Sequence, residues 1–186
     1  MDTEKSTIVW VFGGSGAGKE TFIRYTRENK PEALLEVLGW TEGEVAACEE
    51  SMEWVAQWDD DPRGPKREEL LEVIPTYVKE DGKMTILVKG QGLDLENNRL
   101  RRLKGLLPDC KHEILYIDTN VEEQWQRCKE NKQWYDESYT FEIAKKWLIW
   151  QLKELAALRE DFCILAVKGG KGEYYQLVTL PKELAI

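Results

Sequence analysis

A glycine-rich stretch with one lysine carries the clearest chemistry in this sequence. It reads Gly13-Gly-Ser-Gly-Ala-Gly-Lys19 and is followed by Glu20 and Thr21. Glycines let a backbone wrap closely around a ligand and point successive N–H groups inward, and a helix that begins there adds the positive end of its dipole. The stretch therefore predicts a binding site for phosphate groups. The residues predicted to bind them are Gly13, Gly14, Ser15, Gly16, Ala17, Gly18, Lys19, Glu20 and Thr21.

The segments on either side of the stretch are typical of a strand and a helix. Residues 7–12 form a short apolar run that ends in the glycines, and helical sequence resumes at Lys19 and continues to about Asn29. The stretch matches GxxxxGK of the P-loop, a motif in which Ser or Thr follows the lysine and binds Mg²⁺. Here Thr21 comes one place later, after Glu20, and it is the predicted metal ligand. ATP or a related nucleoside triphosphate, with Mg²⁺, is the predicted ligand of the loop.

Predicted strands and helices alternate along the rest of the chain. Strands are predicted at residues 44–48, 84–88, 114–117 and 162–167, with a possible edge hairpin at 174–179. Helical stretches of about ten or more residues separate most of them, which requires right-handed crossovers and a parallel sheet covered on both faces. We expect a single three-layer α/β domain of the P-loop NTPase type over residues 1–186, with about five parallel strands. Ligands of such sheets bind at the carboxyl ends of the strands.

The composition limits the class of protein. The net charge of −9 and the isoelectric point near 4.9 disfavour nucleic acid as the main partner, since gripping a phosphate backbone requires basic surface. Cys48, Cys110, Cys128 and Cys163 show no CxxC spacing, which predicts free thiols in a reducing cytoplasm. The apolar runs have the length of strands, so we expect no membrane partner.

Polar residues follow the second and third predicted strands, where the acceptor of a phosphoryl group would bind. Glu49 and Glu50 follow the second strand, and a carboxylate there would orient or deprotonate a hydroxyl group. The alternative is a pair of surface acids at the start of a helix. Lys89, Gln91 and Asp94 follow the third strand, as substrate contacts or as loop residues that satisfy the sheet edge. Lys89 cannot bind a metal, which leaves Asp94 as the candidate on this strand.

An insertion predicted at about residues 49–70 contains a further candidate for the acceptor site. Its segment 58–67 is rich in charge, proline and glycine and predicts an exposed loop. Asp61 and Arg63 in this loop would contact the acceptor if the insertion covers the second substrate. A loop that only meets solvent is the alternative.

Other residues with reactive or bulky side chains have simpler interpretations. Arg99, Arg101 and Arg102 form a basic patch, interpreted as a solvated face or as a site for an acceptor phosphate. Trp147 is predicted to lie in the core. His112, which has no partner at metal-ligand spacing, is predicted at the surface or at a helix end.

Two regions resemble known P-loop kinases. The spacing Lys19-Glu-Thr21 resembles the P-loop of nucleoside monophosphate kinases such as adenylate kinases, where glycine separates the lysine from the threonine. Residues 114–127, ILYIDTNVEEQWQR, are similar to the fourth-strand region of thymidylate-kinase-like and other small-molecule P-loop kinases. The resemblance implies a kinase-type sheet, a lid at about residues 127–140, and Arg127 as the arginine that clamps the transferred phosphate. The DGxPR signature of nucleoside monophosphate kinases is missing, because Lys89-Gly-Gln91 stands there.

Together these features predict a Mg²⁺-dependent phosphotransferase that uses ATP. The acceptor would be a nucleoside, a nucleotide or another small metabolite. A P-loop ATPase that acts as a nucleotide-binding regulatory module is the first alternative, and a polynucleotide 5′-kinase is the second. The predicted catalytic residues are Lys19, Arg127, Glu49 and Glu50.

Overall fold

A computed structural model describes residues 5–40, 44–47, 68–78, 83–130, 138–169 and 175–184 of the chain. The strands within these ranges are β1 (Thr7–Phe12), β2 (Glu44–Ala47), β3 (Met84–Lys89), β4 (Lys111–Ile117), β5 (Cys163–Gly169) and β6 (Tyr175–Val178). The helices are α1 (Lys19–Asn29), α2 (Glu32–Leu38), α3 (Leu70–Tyr77), α4 (Gly92–Glu96), α5 (Arg99–Leu106), α6 (Val121–Glu130) and α7 (Phe141–Ala156).

One sheet contains all six of these strands. Their order is β2-β3-β1-β4-β5-β6, and the first five are parallel while β6 is antiparallel to β5. The sheet thus confirms the prediction of about five parallel strands and places the predicted edge strand beside β5. Since β1 lies between β3 and β4, the residues that follow all three strands meet at one edge.

Helices cover both faces of the sheet. Because side chains alternate along a strand, Ile8, Trp10 and Phe12 of β1 face one side and Val9 and Val11 the other. The first set packs with side chains of α3, α5 and α7, and the second with side chains of α1 and α2. These five side chains of β1 are all fully buried. This arrangement confirms the three-layer α/β fold.

Two of the differences between predicted and observed bounds have a clear structural reason. β4 begins at Lys111, three residues before the predicted start, because Lys111 and the next residues pair with the first half of β1. The polar Glu113 is tolerated there since its carboxylate accepts a 2.8 Å hydrogen bond from the Trp40 indole and pairs with Lys111. The amphipathic pattern of residues 96–107 predicts a single helical segment, but α4 ends at Glu96 and α5 begins only at Arg99, after Asn98 with a φ of 54°.

Two ring side chains lie in surroundings other than those predicted. His112 is buried, not at the surface, and its Nε2 donates to the carbonyl oxygen of Leu107 over 2.7 Å. Burial lowers the pKa of His112 below its ordinary value. Trp147 is 51% exposed, so its predicted place in the core is wrong. A long helix packed along one stripe presents some apolar residues to solvent, and sequence periodicity does not say which.

The described parts of the chain also bear on two class predictions. Cys110, Cys128 and Cys163 are free thiols there, as predicted, while Cys48 lies outside the described residues. Among the described helices, none combines the length and the apolar character needed to cross a bilayer.

Candidate active site

The predicted phosphate loop joins β1 to α1 at the carboxyl edge of the sheet. Gly16 and Gly18 have φ angles of 80° and 98°, a left-handed conformation that side-chain-bearing residues rarely adopt. The amide of Ala17 donates to the carbonyl oxygen of Gly14 over 3.0 Å, which closes a tight turn. The glycines at 16 and 18 therefore allow the loop to curve into the first turn of α1.

Lys19, the first residue of α1, folds back over the start of this loop. Its ammonium group donates to the carbonyl oxygens of Gly13 at 2.8 Å and Gly14 at 3.2 Å. The side chain is thereby held beside the loop backbone, in reach of a ligand bound there. In this position the ammonium group can exchange its carbonyl partners for phosphate oxygens.

The turn between β4 and α6, together with α6 itself, supports the loop from outside. The Thr119 hydroxyl donates to the Ala17 carbonyl oxygen over 2.9 Å, and Arg127 Nη1 donates to the Gly16 carbonyl oxygen over 3.0 Å. The Gln124 amide donates to the Thr119 carbonyl oxygen over 2.6 Å. The bonds from Thr119 and Arg127 give the Ala17 and Gly16 carbonyl oxygens protein donors, and Gln124 holds Thr119 in place.

Gln124 also fills the space beneath the loop. A Cβ atom added to Gly14 would lie 1.9 Å from the Gln124 side-chain oxygen, and one added to Gly16 would lie 2.6 Å from its backbone oxygen. Gln124 is only 4% exposed. Sequence reasoning misses this residue, because a lone glutamine in an amphipathic helix has no motif around it.

Arg127 is the predicted catalytic arginine, and it lies in the last turn of α6. Besides Gly16 it contacts Glu123, whose carboxylate oxygen is 2.5 Å from Nη2. Its side chain is 41% exposed, so it borders the open side of the loop. Residues 127–130 of the predicted lid belong to α6, and residues 131–137 lie outside the described residues.

Glu20 and Lys89 form an ion pair at the mouth of the loop. Lys89 ends β3, in register with Val11 of β1, and its ammonium group contacts the Glu20 carboxylate. The hydrogen bond from Lys89 lowers the pKa of Glu20. Thr21, the predicted metal ligand, is exposed in the first turn of α1. The structure thus brings Lys19, Glu20 and Lys89 to one place, as the predicted sheet edge requires.

Asp94 has a different environment from the one predicted. One carboxylate oxygen accepts a 2.8 Å hydrogen bond from the Gln91 amide, and the other accepts one of 3.1 Å from Arg99. Asp94 is fully buried and Arg99 is 2% exposed, so the predicted solvated position of Arg99 is wrong. Because both Asp94 oxygens are engaged inside the protein, this geometry argues against its predicted contact with substrate or metal. Gln91, at the start of α4, is half-buried.

The acidic residues described around the loop do not fit a conventional Mg²⁺ site. P-loop proteins hold the ion with the hydroxyl that follows the lysine and with an acid from a neighbouring strand. Glu20 and Lys89 occupy the first position and the end of the neighbouring strand β3. In the described ranges there is no group of three or more His, Cys, Asp or Glu side chains that could hold a metal.

Four predicted site residues lie outside the part of the chain that the structure describes. They are Glu49, Glu50, Asp61 and Arg63. Their roles as catalytic carboxylates and acceptor contacts stay predictions.

Solved structures similar to this chain include small-molecule kinases, whereas no protein-family model and no curated protein matches the sequence. A shikimate kinase from Acinetobacter baumannii, in complex with shikimate, is 21% identical with a TM-score of 0.46, and the match covers 91% of this chain and 86% of that one. A gluconokinase from Sinorhizobium meliloti 1021 is 16% identical with a TM-score of 0.44, over 90% and 84% of the two chains. A chain of the Pnkp1/Rnl/Hen1 RNA repair complex is 14% identical with a TM-score of 0.47, over 96% of this chain and 50% of that one.

Proposed function

We propose that this protein is a P-loop phosphotransferase that transfers the γ-phosphate of ATP to a small acceptor. The observation that carries the proposal is the loop between β1 and α1, with its two left-handed glycines and with Lys19 folded over its carbonyls. Phosphoryl transfer needs little covalent chemistry from a protein, because catalysis rests on positioning and on positive charge around the phosphates. The loop supplies both.

Each residue of the loop region has a distinct role in this proposal. The loop N–H groups and the first turn of α1 bind the phosphates, and Lys19 exchanges its two carbonyl contacts for phosphate oxygens. Arg127, which lies half-exposed beside Gly16 in the last turn of α6, adds a second positive charge. Its charge would be directed at the phosphoryl group as that group leaves ATP, the stage at which negative charge shifts between oxygens.

The acceptor would bind beside the exit of β3, where Lys89 and Gln91 follow the strand next to the loop. The acceptor we propose is a nucleoside, a nucleotide or another small metabolite. Glu49 and Glu50 remain the predicted carboxylates for orienting an acceptor hydroxyl group, and Asp61 and Arg63 the predicted contacts from the insertion.

One observation favours a second candidate function, a P-loop ATPase that acts as a nucleotide-binding module. The Glu20–Lys89 pair stands where Mg²⁺ ligands are usual, an arrangement compatible with slow hydrolysis and a regulatory use of the bound nucleotide. A polynucleotide 5′-kinase is less well supported because the net charge of −9 disfavours binding to a phosphate backbone.

Acceptor-stimulated release of ADP tests the proposal. ATP and Mg²⁺ are incubated with the protein and a panel of nucleosides, nucleotides, small alcohols and 5′-hydroxyl oligonucleotides. We expect one class of acceptor to stimulate release, and Lys19→Ala to reduce it by at least about 100-fold, the usual cost of removing a charge-stabilising donor. Lys153→Ala, which removes an exposed lysine of α7, is the matched control and should retain full activity.

The possible results separate the candidates. Unchanged turnover in Lys19→Ala would contradict the role of the loop. Tight ATP binding without stimulation by any acceptor would support the ATPase module instead. Stimulation by the oligonucleotides alone would identify a polynucleotide kinase.

A further inference from the structure

The Glu20–Lys89 pair is the feature of the loop region that a phosphate-binding loop alone does not explain. Glu20 stands where the motif has a metal-binding hydroxyl, and Lys89 ends the strand from which an acid would usually reach the metal. β1 and β3 are neighbours, with Val11 and Lys89 in register. The loop after β1 leads to Glu20 in the first turn of α1, and the Glu20 carboxylate meets the Lys89 ammonium group there. Relative to the motif, an acid stands directly after Lys19, the hydroxyl comes one place later at Thr21, and a base stands where the neighbouring strand usually has an acid.

The charges at this position suit a phosphate better than a magnesium ion. Mg²⁺ requires close to octahedral coordination by oxygen ligands, and a neighbouring ammonium group repels it. A lysine ammonium group binds phosphate well as a point charge. Lys89 therefore offers the triphosphate part of the positive charge that a metal ion supplies elsewhere.

The two side chains of the pair differ in exposure, which makes the pair easy to separate. The Lys89 side chain is 17% exposed, while the Glu20 side chain is 61% exposed. An ion pair with one solvated partner contributes little to stability, so separating it costs little. A triphosphate carries several negative charges against the single charge of Glu20, and it competes effectively for the same ammonium group.

We propose that Lys89 is a second phosphate-binding ammonium group, which pairs with Glu20 beside the loop and exchanges that partner for a phosphate group of the nucleotide. The inference rests on the proposed function to the extent that a nucleoside triphosphate is the ligand. Its consequence is that nucleotide binding depends less on a divalent ion than in a P-loop protein with the usual metal ligands.

ATP affinity measured by titration calorimetry, once with excess Mg²⁺ and once with excess EDTA, tests this inference. We expect the wild-type protein to lose less than about tenfold in affinity when the metal is removed. Lys89→Met should weaken metal-free ATP binding by about tenfold or more, the usual effect of losing a charged hydrogen bond, and should weaken binding much less with Mg²⁺. Lys153→Met is the matched control and should change neither affinity.

Glu20→Gln provides an independent variant, since its exposed position makes the substitution compatible with folding. It removes the competing carboxylate, so metal-free ATP binding should be retained or tightened. Thermal melting of each variant checks that the fold is intact.

Several outcomes would overturn the inference. One such outcome is that Lys89→Met binds ATP in EDTA as tightly as the wild-type protein does. Another is that Glu20→Gln no longer binds ATP without the metal. Binding by the wild-type protein only with Mg²⁺ would also overturn the inference, and it would leave the proposed function standing. Absence of ATP binding under both conditions would instead refute the proposed function and this inference together.

Discussion

At the scale of single residues, the phosphate loop depends on what lies against it as much as on its own glycines. Gly16 has a φ of 80°, and its α-carbon faces the backbone of Gln124 and the thiol of Cys128. The glycine therefore meets two requirements at once, a left-handed backbone and close contact with α6. Gly105 of α5 meets neither, since no atom lies within 4 Å of the position of an added Cβ.

This contrast leads to a paired prediction. Gly16→Ala should lower the free energy of unfolding by about 1–3 kcal/mol and weaken ATP binding, because its Cβ would lie 2.6 Å from the Gln124 backbone oxygen. Gly105→Ala, inside a helix, should raise the free energy of unfolding by up to about 1 kcal/mol. Urea denaturation measures both values, and an equal effect of the two substitutions would contradict the packing argument.

The loop could be predicted from sequence, but its supporting residues could not. Lys19 and the glycines belong to a local motif whose chemistry follows from spacing. The hydrogen bond from Thr119 to Ala17 joins residues 102 positions apart, and nothing in either local sequence announces it. The Glu20–Lys89 pair likewise depends on β1 and β3 being neighbours. Such contacts follow from the fold, so they become visible only when the sheet order is known.

At the scale of elements, the segment from β4 to α6 links the sheet to the loop. Thr119 follows the strand and donates to the Ala17 carbonyl oxygen, and Arg127 of the helix donates to that of Gly16. Gln124, one turn before Arg127, donates to the Thr119 carbonyl oxygen. Arg127 is also bonded to Glu123, one turn earlier, which fixes the guanidinium in orientation. The position of α6 therefore determines both the shape of the loop and the placement of this charge.

Arg127→Ala should lower the turnover number more than the affinity for ATP. The guanidinium borders the loop from its open side, where it would act on charge that develops as the phosphoryl group moves. Separate measurement of kcat and of the ATP dissociation constant checks this. Lys129→Ala, which removes an exposed cation from the same end of α6, is the control and should change neither value by more than about twofold. A loss of affinity with unchanged turnover would instead assign Arg127 to binding of the ground state.

Most elements were predictable because their apolar periodicity is strong. The bounds of β1 and α1 coincide with those predicted from sequence. β4 was predicted too short because Lys111-His112-Glu113 reads as polar, although His112 and Glu113 are buried. Distant partners, the Trp40 indole among them, satisfy these polar groups, and local sequence does not record such partners.

At the scale of the whole molecule, an ionic network with a buried centre, the Asp94–Arg99 pair, connects elements on one face of the sheet. Arg99 donates to Asp94, at the start of α4, and to Glu68, just before α3. Glu68 also pairs with Arg102 of α5. Removing one member leaves the others without compensation, and such losses are among the costliest that single substitutions cause.

Arg99→Met should lower the free energy of unfolding by about 3–5 kcal/mol, because the fully buried Asp94 carboxylate would lose its partner. Adding Asp94→Asn should restore part of that loss. Arg101→Met breaks a half-exposed pair with Asp161 and should cost less than about 1 kcal/mol. Urea denaturation of the three variants checks the ranking, and an additive double variant would contradict the coupling.

The overall architecture followed from the alternation of strands and helices, and the sheet order confirms it. What alternation could not indicate is which polar side chains are internal. Arg99 and Arg102 are close in sequence and alike in chemistry, yet the side chain of the first is 2% exposed and that of the second 48%. Residues 49–67 of the insertion and 131–137 of the lid lie outside the described residues, so their part in acceptor binding stays a prediction.

The carbonyl oxygens of Gly13 and Gly14 compete with phosphate oxygens for the Lys19 ammonium group. The ammonium group donates to both carbonyl oxygens, and a phosphate must displace them. Measured affinity therefore reports a difference between two bonded states of the same lysine. A substitution that weakened the resting contacts would tighten nucleotide binding without touching the nucleotide, and natural variation at the start of the loop could adjust affinity in this way.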